Sequence, residues 1–159
     1  LFEAAGPGST YVFSPKAHET LVRVLSGLDY SEIGVHDWYV YALARSIGLT
    51  WVIGEEPTLE YRQHGGNVQG ANSGSGARDA RMAKLRNGFY RNQFILTARA
   101  AQKIGSFDER RQRQLRAILG ELEGQGAASR LRFALRWRQI RRDPVEGLKL
   151  AAARVLGVW

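Results

Sequence analysis

His36, Asp37 and Trp38 stand directly ahead of Val40, Leu43, Ala44 and Ile47, which recur at helical spacing before Gly48 closes the run. An Asp at that place has two readings. As the N-cap it would accept hydrogen bonds from the free N–H groups of the first turn, a role worth about 1 kcal/mol. As a carboxylate held at a helix mouth, where the positive end of the helix dipole attracts it, it is a candidate general base. A second group follows in "YRQHGGN", where Arg62, His64 and Asn67 gather around a Gly-Gly turn. A cation, an imidazole and an amide at a strand end suit an anionic ligand such as a diphosphate, or a metal held with one. The same residues fit a solvated strand end with a structural His.

The elements that must position these groups can be read around them. "TYVFS" is a short aromatic and β-branched run that suits a strand. Ser14 and Pro15 then form a cap and a first-turn proline, and Ala17, Leu21, Val24, Leu25 and Leu28 carry a helix to about Gly27. After the Asp37 helix, "LTWVI" and "TLEYRQH" read as two more strands on either side of the turn "GEEP". Strands alternating with helices predict part of an α/β sheet packed by helices.

Beyond the Gly- and Ser-rich stretch "GANSGSGARD" the chain changes character. Residues 1–77 hold 4 Lys/Arg against 8 Asp/Glu, a balance of −4, whereas residues 78–159 hold 19 against 7, a balance of +12. Two regions with different tasks are expected, 1–77 and 78–159. In the second, Met82, Leu85, Phe89 and Leu96 predict one long helix and Leu115, Ile118, Leu119 and Leu122 another. An arginine-rich run follows around Leu131, Ala134, Leu135 and Trp137. Asp143, Pro144 and Glu146 then read as cap, first-turn proline and capping-box acid of a last helix carrying Leu148, Ala152, Val155 and Trp159.

The chain has 159 residues and no Cys, which excludes disulfides and thiolate chemistry. No apolar run approaches the roughly 18 residues that would span a bilayer. It opens on Leu1 with no leader, as a piece of a longer protein would.

Taken in order, "GPGSTYVFS", "HDW" opening a helix, and "YRQHGGNVQGAN" closely resemble the C-terminal half of family 2 glycosyltransferases, especially the bacterial rhamnosyltransferase-like members. The likeness covers residues 3 to about 77. It implies an α/β fold, the C-terminal part of a GT-A (Rossmann-like) glycosyltransferase domain, with residues 1–77 as its acceptor-side half and 78–159 as a helical, Arg-rich extension. It implies an inverting enzyme that moves a sugar from a nucleotide-diphosphate donor to a saccharide or lipid-linked acceptor. Asp37 falls where the family places its general base. His36 would orient it or touch the acceptor, and Trp38 would stack on an acceptor ring. His64 matches a position near the divalent metal, Mg or Mn. Arg62 and Asn67 would offset charge on the leaving diphosphate, and Gly6 and Gly8 would let the backbone approach substrate. The family's nucleotide-binding half, with its Asp-x-Asp metal pair, is missing here, since neither Asp29 nor Asp79 belongs to such a pair. Metal and donor binding are therefore expected mainly outside this chain, which alone should be inactive.

Three other readings compete. A metal-dependent phosphohydrolase would need more ligands than His18, His36 and His64 with their neighbouring acids supply. The basic helices could form a non-enzymatic module that binds nucleic acid or membrane, or a tail that packs on its own domain. Nucleic acid is the disfavoured partner, because no docking motif is present. Arg on one face with Leu, Phe, Trp137 and Trp159 on the other instead predicts attachment to an anionic membrane surface. The parent protein would then be cytoplasmic and peripheral on the inner membrane.

Overall fold

The computed structural model describes residues 3–56 and 75–159. After a single 3-10 turn at Gly8–Thr10, eight α-helices follow: α1 (Pro15–Ser26), α2 (His36–Ser46), α3 (Ser75–Arg86), α4 (Phe89–Ile104), α5 (Glu109–Glu123), α6 (Ala127–Leu135), α7 (Trp137–Ile140) and α8 (Pro144–Val155). Among the described residues there is no strand and no sheet. This overturns the α/β, Rossmann-like expectation.

Two of the three expected strands show why. Residues 11–14 and 49–54 carry no regular secondary structure. Their inward and outward alternation is real: Tyr11 and Phe13 pack against Trp51 at ring-centroid distances of 4.7 and 5.8 Å, while Val12 between them is 95% exposed. An alternating pattern records which face is buried. It says nothing of a ladder partner, and without one an extended segment is not a strand. The third expected strand, within 58–64, lies outside the described residues, as do residues 70–74 of the Gly- and Ser-rich stretch, while residues 75–79 of that stretch begin α3.

The helix starts follow their local signals. Ser14 caps α1 by accepting from the Ala17 N–H at 3.3 Å, with Pro15 in the first turn. Asp108 caps α5 through the Arg111 N–H at 2.8 Å, and Asp143 caps α8 through the Val145 N–H at 2.8 Å. Glu146 takes no part in a capping box; it pairs with Lys149 at 2.7 Å. The single helix expected across Met82 to Leu96 is two, broken at Asn87 and Gly88. Gly88 adopts φ +79°, a left-handed conformation that ends one helix and redirects the next.

Two hydrophobic clusters form the core, and α4 contributes to both. One joins Leu21, Tyr39, Leu43 and Ala44 to Ala100. The other joins Phe94, Ala98 and Ala101 to Leu122, Phe133 and Trp159. The run of alanines on α4 lets neighbouring helices approach closely on both sides.

The basic tail packs on this core. Phe133, Ile140 and Trp159 are buried, whereas Leu131, Leu135, Leu148 and Val155 are exposed. The buried faces of α6 and α8 are therefore not the ones the apolar spacing predicted. The cause on α8 is Arg154, 1% exposed. Its Nη1 donates to the Trp159 carbonyl at 2.9 Å, and its Nη2 donates to the carbonyls of Glu121 at 3.1 Å and Gly124 at 2.5 Å. A buried guanidinium thus satisfies the carbonyls that the C-terminus of α5 leaves free. Glu121 also holds Arg136 with two bonds, at 2.8 and 3.0 Å, fixing the joint between α6 and α7. Trp159, expected at a membrane boundary, is instead 4% exposed, with its ring 5.5 Å from Phe94 and 5.2 Å from Phe133.

Candidate functional site

The start of α2 is built from both sides. Ahead of it, the loop 32–34 is clamped by buried Gln93 of α4, whose Nε2 donates to the Glu32 carbonyl at 3.0 Å and whose Oε1 accepts from the Gly34 N–H at 2.9 Å. Gly34 lies against the Phe89 ring, where a Cβ would sit 2.7 Å from a ring carbon. This clamp sets where the helix begins.

Val35 is the N-cap, without a side-chain hydrogen bond, so Asp37 is not the cap the sequence suggested. It occupies the second position of the first turn, half-buried, still within reach of the positive end of the helix. Among the described residues its carboxylate makes no hydrogen bond or ion pair.

Gly8, His36 and Tyr11 converge on Asp37. A Cβ on Gly8 would lie 2.6 Å from His36 Nε2 and 3.7 Å from Asp37 Cβ, so the absence of a side chain at Gly8 makes room for the imidazole. The Tyr11 hydroxyl is shared between the carbonyls of Gly6 at 3.1 Å and Asp37 at 3.2 Å. Burial raises the Tyr11 pKa above its ordinary value, and the negative charge of Asp37 adds to the rise. Two open spaces adjoin the group. A groove of about 770 Å³ runs past Gly6, Tyr11 and Trp51, and a cavity of about 400 Å³ between α1 and α2 has His36 and Tyr30 on its wall.

Trp38 faces another way. Its ring packs 5.6 Å from Tyr90 and 5.1 Å from Phe94, with the Arg141 guanidinium 5.1 Å above it. The structure thus brings Gly6, Gly8, His36 and Asp37 together and sets Trp38 against α4. Arg62, His64 and Asn67 lie outside the described residues. Tyr11 and Gln93 were not singled out by sequence. Nothing local distinguishes Tyr11 from the other aromatics of its run, and Gln93 sits mid-helix, where a polar residue ordinarily faces water. No group of three or more potential metal ligands occurs among the described residues. His36 and Asp37 alone fall short of the oxygen-rich shell that Mg or Mn requires.

Over its full length the chain is similar to the dTDP-rhamnosyl transferase RfbG of Shigella flexneri, 31% identical across 164 residues. The match covers 52% of that protein, so the chain spans about half the length of this relative. No family model matches the chain, and no solved structure matches it.

Proposed function

We propose that this chain is the acceptor-side, C-terminal portion of an inverting glycosyltransferase of the family 2, rhamnosyltransferase-like kind, acting in bacterial surface polysaccharide synthesis. The observation that carries the reading is the unpartnered Asp37 carboxylate at the mouth of α2, with His36 beside it and Tyr11 holding its backbone. Similarity to RfbG along the whole chain supports it.

In the full-length protein, Asp37 takes the proton of an acceptor hydroxyl as that oxygen attacks the anomeric carbon. The bond to the nucleotide diphosphate breaks on the opposite side, and the sugar's configuration inverts. The donor is a nucleotide-diphosphate sugar, with dTDP-rhamnose the first to try, and the acceptor is a saccharide on a lipid carrier. Arg62 and Asn67 would offset charge on the leaving diphosphate, and His64 would help to hold a divalent metal, Mg or Mn, whose other ligands would come mainly from the rest of the full-length protein. The chain by itself is inactive.

Asp37→Asn in the full-length enzyme tests this. Asn keeps the shape but accepts no proton, so transfer should fall by about 10²-fold or more while donor affinity and melting temperature stay unchanged. Transfer at the wild-type rate under saturating donor would remove Asp37 from the chemistry.

We propose further that the protein is cytoplasmic and peripheral on the inner membrane. No helix among the described residues is long and apolar enough to cross a bilayer. The support lies in Leu135 and Leu156, 74% and 77% exposed on a tail dense in arginine.

A further inference from the structure

The side of α2 turned away from His36 carries a second recess. Trp38, Tyr90 and Phe94 form an aromatic wall, and Met82, Leu85 and Leu150 complete an apolar lining around a cavity of about 280 Å³. Among the described residues, every charged residue that lines it is an arginine: Arg78 and Arg81 from α3, and Arg141 from the link between α7 and α8.

Arg141 is the unusual member. Its guanidinium lies 5.1 Å from the Trp38 ring centroid and 5.6 Å from that of Phe94, and among the described residues it has no ion pair or hydrogen bond. Burial is the main influence on it and lowers its pKa, with Glu3 and Glu146 acting from a distance in the other direction. Arg81 and Arg141 share this lining with Tyr90; burial raises the Tyr90 pKa, and the two positive charges act against that rise. A cation held in an apolar recess without a carboxylate is costly unless an anion joins it. Converging guanidiniums are suited to phosphate oxygens. Among the described residues, the remaining lining offers hydrocarbon and aromatic faces, with few groups to hydrogen-bond a nucleobase edge.

We propose that this recess binds a phosphorylated lipid, the phosphate against Arg78, Arg81 and Arg141 and the first hydrocarbon units against Trp38, Leu85 and Leu150. The proposal deepens the glycosyltransferase reading and rests on it in one respect, the source of the ligand: a lipid-phosphate carrier of the acceptor. The same chemistry is offered by an anionic membrane lipid.

The test uses the 159-residue chain with farnesyl phosphate as a soluble probe, following tryptophan fluorescence, and Trp38→Phe to assign the signal. Saturable binding is expected. Farnesol and inorganic phosphate should each bind at least tenfold more weakly, because each supplies half of the recognition. Arg78→Gln with Arg81→Gln, both exposed positions on α3, should weaken farnesyl phosphate at least tenfold, and so should Leu85→Trp, which fills the recess. Farnesol binding as tightly as the phosphate, equal affinity in the arginine and Leu85 variants, or tighter binding of dTDP at the same site would each overturn the proposal. Vesicles of phosphatidylglycerol distinguish the sources. Displacement of farnesyl phosphate by vesicles assigns the recess to membrane lipid, and retention of the probe in their presence assigns it to the free carrier. No sugar donor is present in the measurement, so its outcome is independent of whether Asp37→Asn abolishes transfer.

Discussion

The Tyr11 hydroxyl reaches the backbone carbonyl of Asp37 at 3.2 Å, joining residues 26 apart in the chain. The contact ties the turn at Gly6–Gly8 to the first turn of α2. It makes the position of the candidate base depend on a segment that has no regular structure of its own.

This contact sets a pH dependence. Because burial and the Asp37 charge hold the Tyr11 phenol above its ordinary pKa, its contribution to stability is complete below about pH 10, the unfolded value, and is lost as pH rises through the folded one. Asp37→Asn removes one of the three raising influences, so Tyr11 should ionise at a lower pH in that variant. Phenolate absorbance, with a Tyr11→Phe protein subtracted to isolate the residue, gives the measurement. An unchanged Tyr11 titration would mean that Asp37 does not sit where its charge is felt.

Gln93 should behave as a positioning residue. Gln93→Ala leaves the Gly34 N–H and the Glu32 carbonyl without their partner, at a cost of about 1–3 kcal/mol. In the full-length enzyme kcat should fall with little change in donor KM, since the loop ahead of Asp37 loosens while donor contacts stay in place. Gln93→Glu can still accept from Gly34 but cannot donate to Glu32, and should lie between. A kcat unaffected by either change would separate this clamp from the chemistry.

Arg154 should be among the costliest single positions in the tail. Arg154→Met fills similar space but withdraws donors from the carbonyls of Glu121, Gly124 and Trp159, and a loss of about 1–3 kcal/mol for each carbonyl left buried without a partner is expected in urea denaturation. Arg154→Lys restores the charge without the planar fork and should recover only part of it. A loss below about 1 kcal/mol for the Met variant would show that water satisfies those carbonyls as well as the guanidinium does.

Membrane attachment should depend on the exposed leucines and not on Trp159. Vesicles rich in phosphatidylglycerol should retain the chain at low salt, and Leu135→Ala with Leu156→Ala should reduce partitioning about tenfold through lost apolar burial. Raising salt should weaken retention by screening the arginines over about 8–10 Å. Trp159→Ala should instead lower the unfolding midpoint, because it empties part of the core. Retention that ignores both leucines and salt would remove the membrane reading.

Much of the helical half was legible residue by residue. Ser14 with Pro15 and Asp143 with Pro144 start helices because a capping oxygen reaches an N–H two or three residues along, a contact that needs no other part of the chain. The charge division at residue 77 and the order of the "GPG" and "HDW" stretches were equally plain. The α/β expectation went wrong at Tyr11–Ser14 and Leu49–Ile53, where aromatic, β-branched and apolar runs of strand length were read as strands. A strand exists only through its neighbour, and that neighbour is not encoded in the segment's own four or five residues.

The tertiary structure decided the rest. It cut the Met82–Leu96 periodicity at Gly88, moved Asp37 from the cap into the first turn, and set Gly8 against an imidazole 28 residues further on. It also turned Arg154 and Trp159 inward and left Leu135 and Leu156 outside, against the order that hydrophobicity alone predicts. The physical reason is common to these cases. Caps, turns and net charge depend on groups a few residues apart, so the sequence determines them directly. Which face of a helix is buried, and whether a buried cation finds carbonyls to bond, depends on groups brought together from distant parts of the chain.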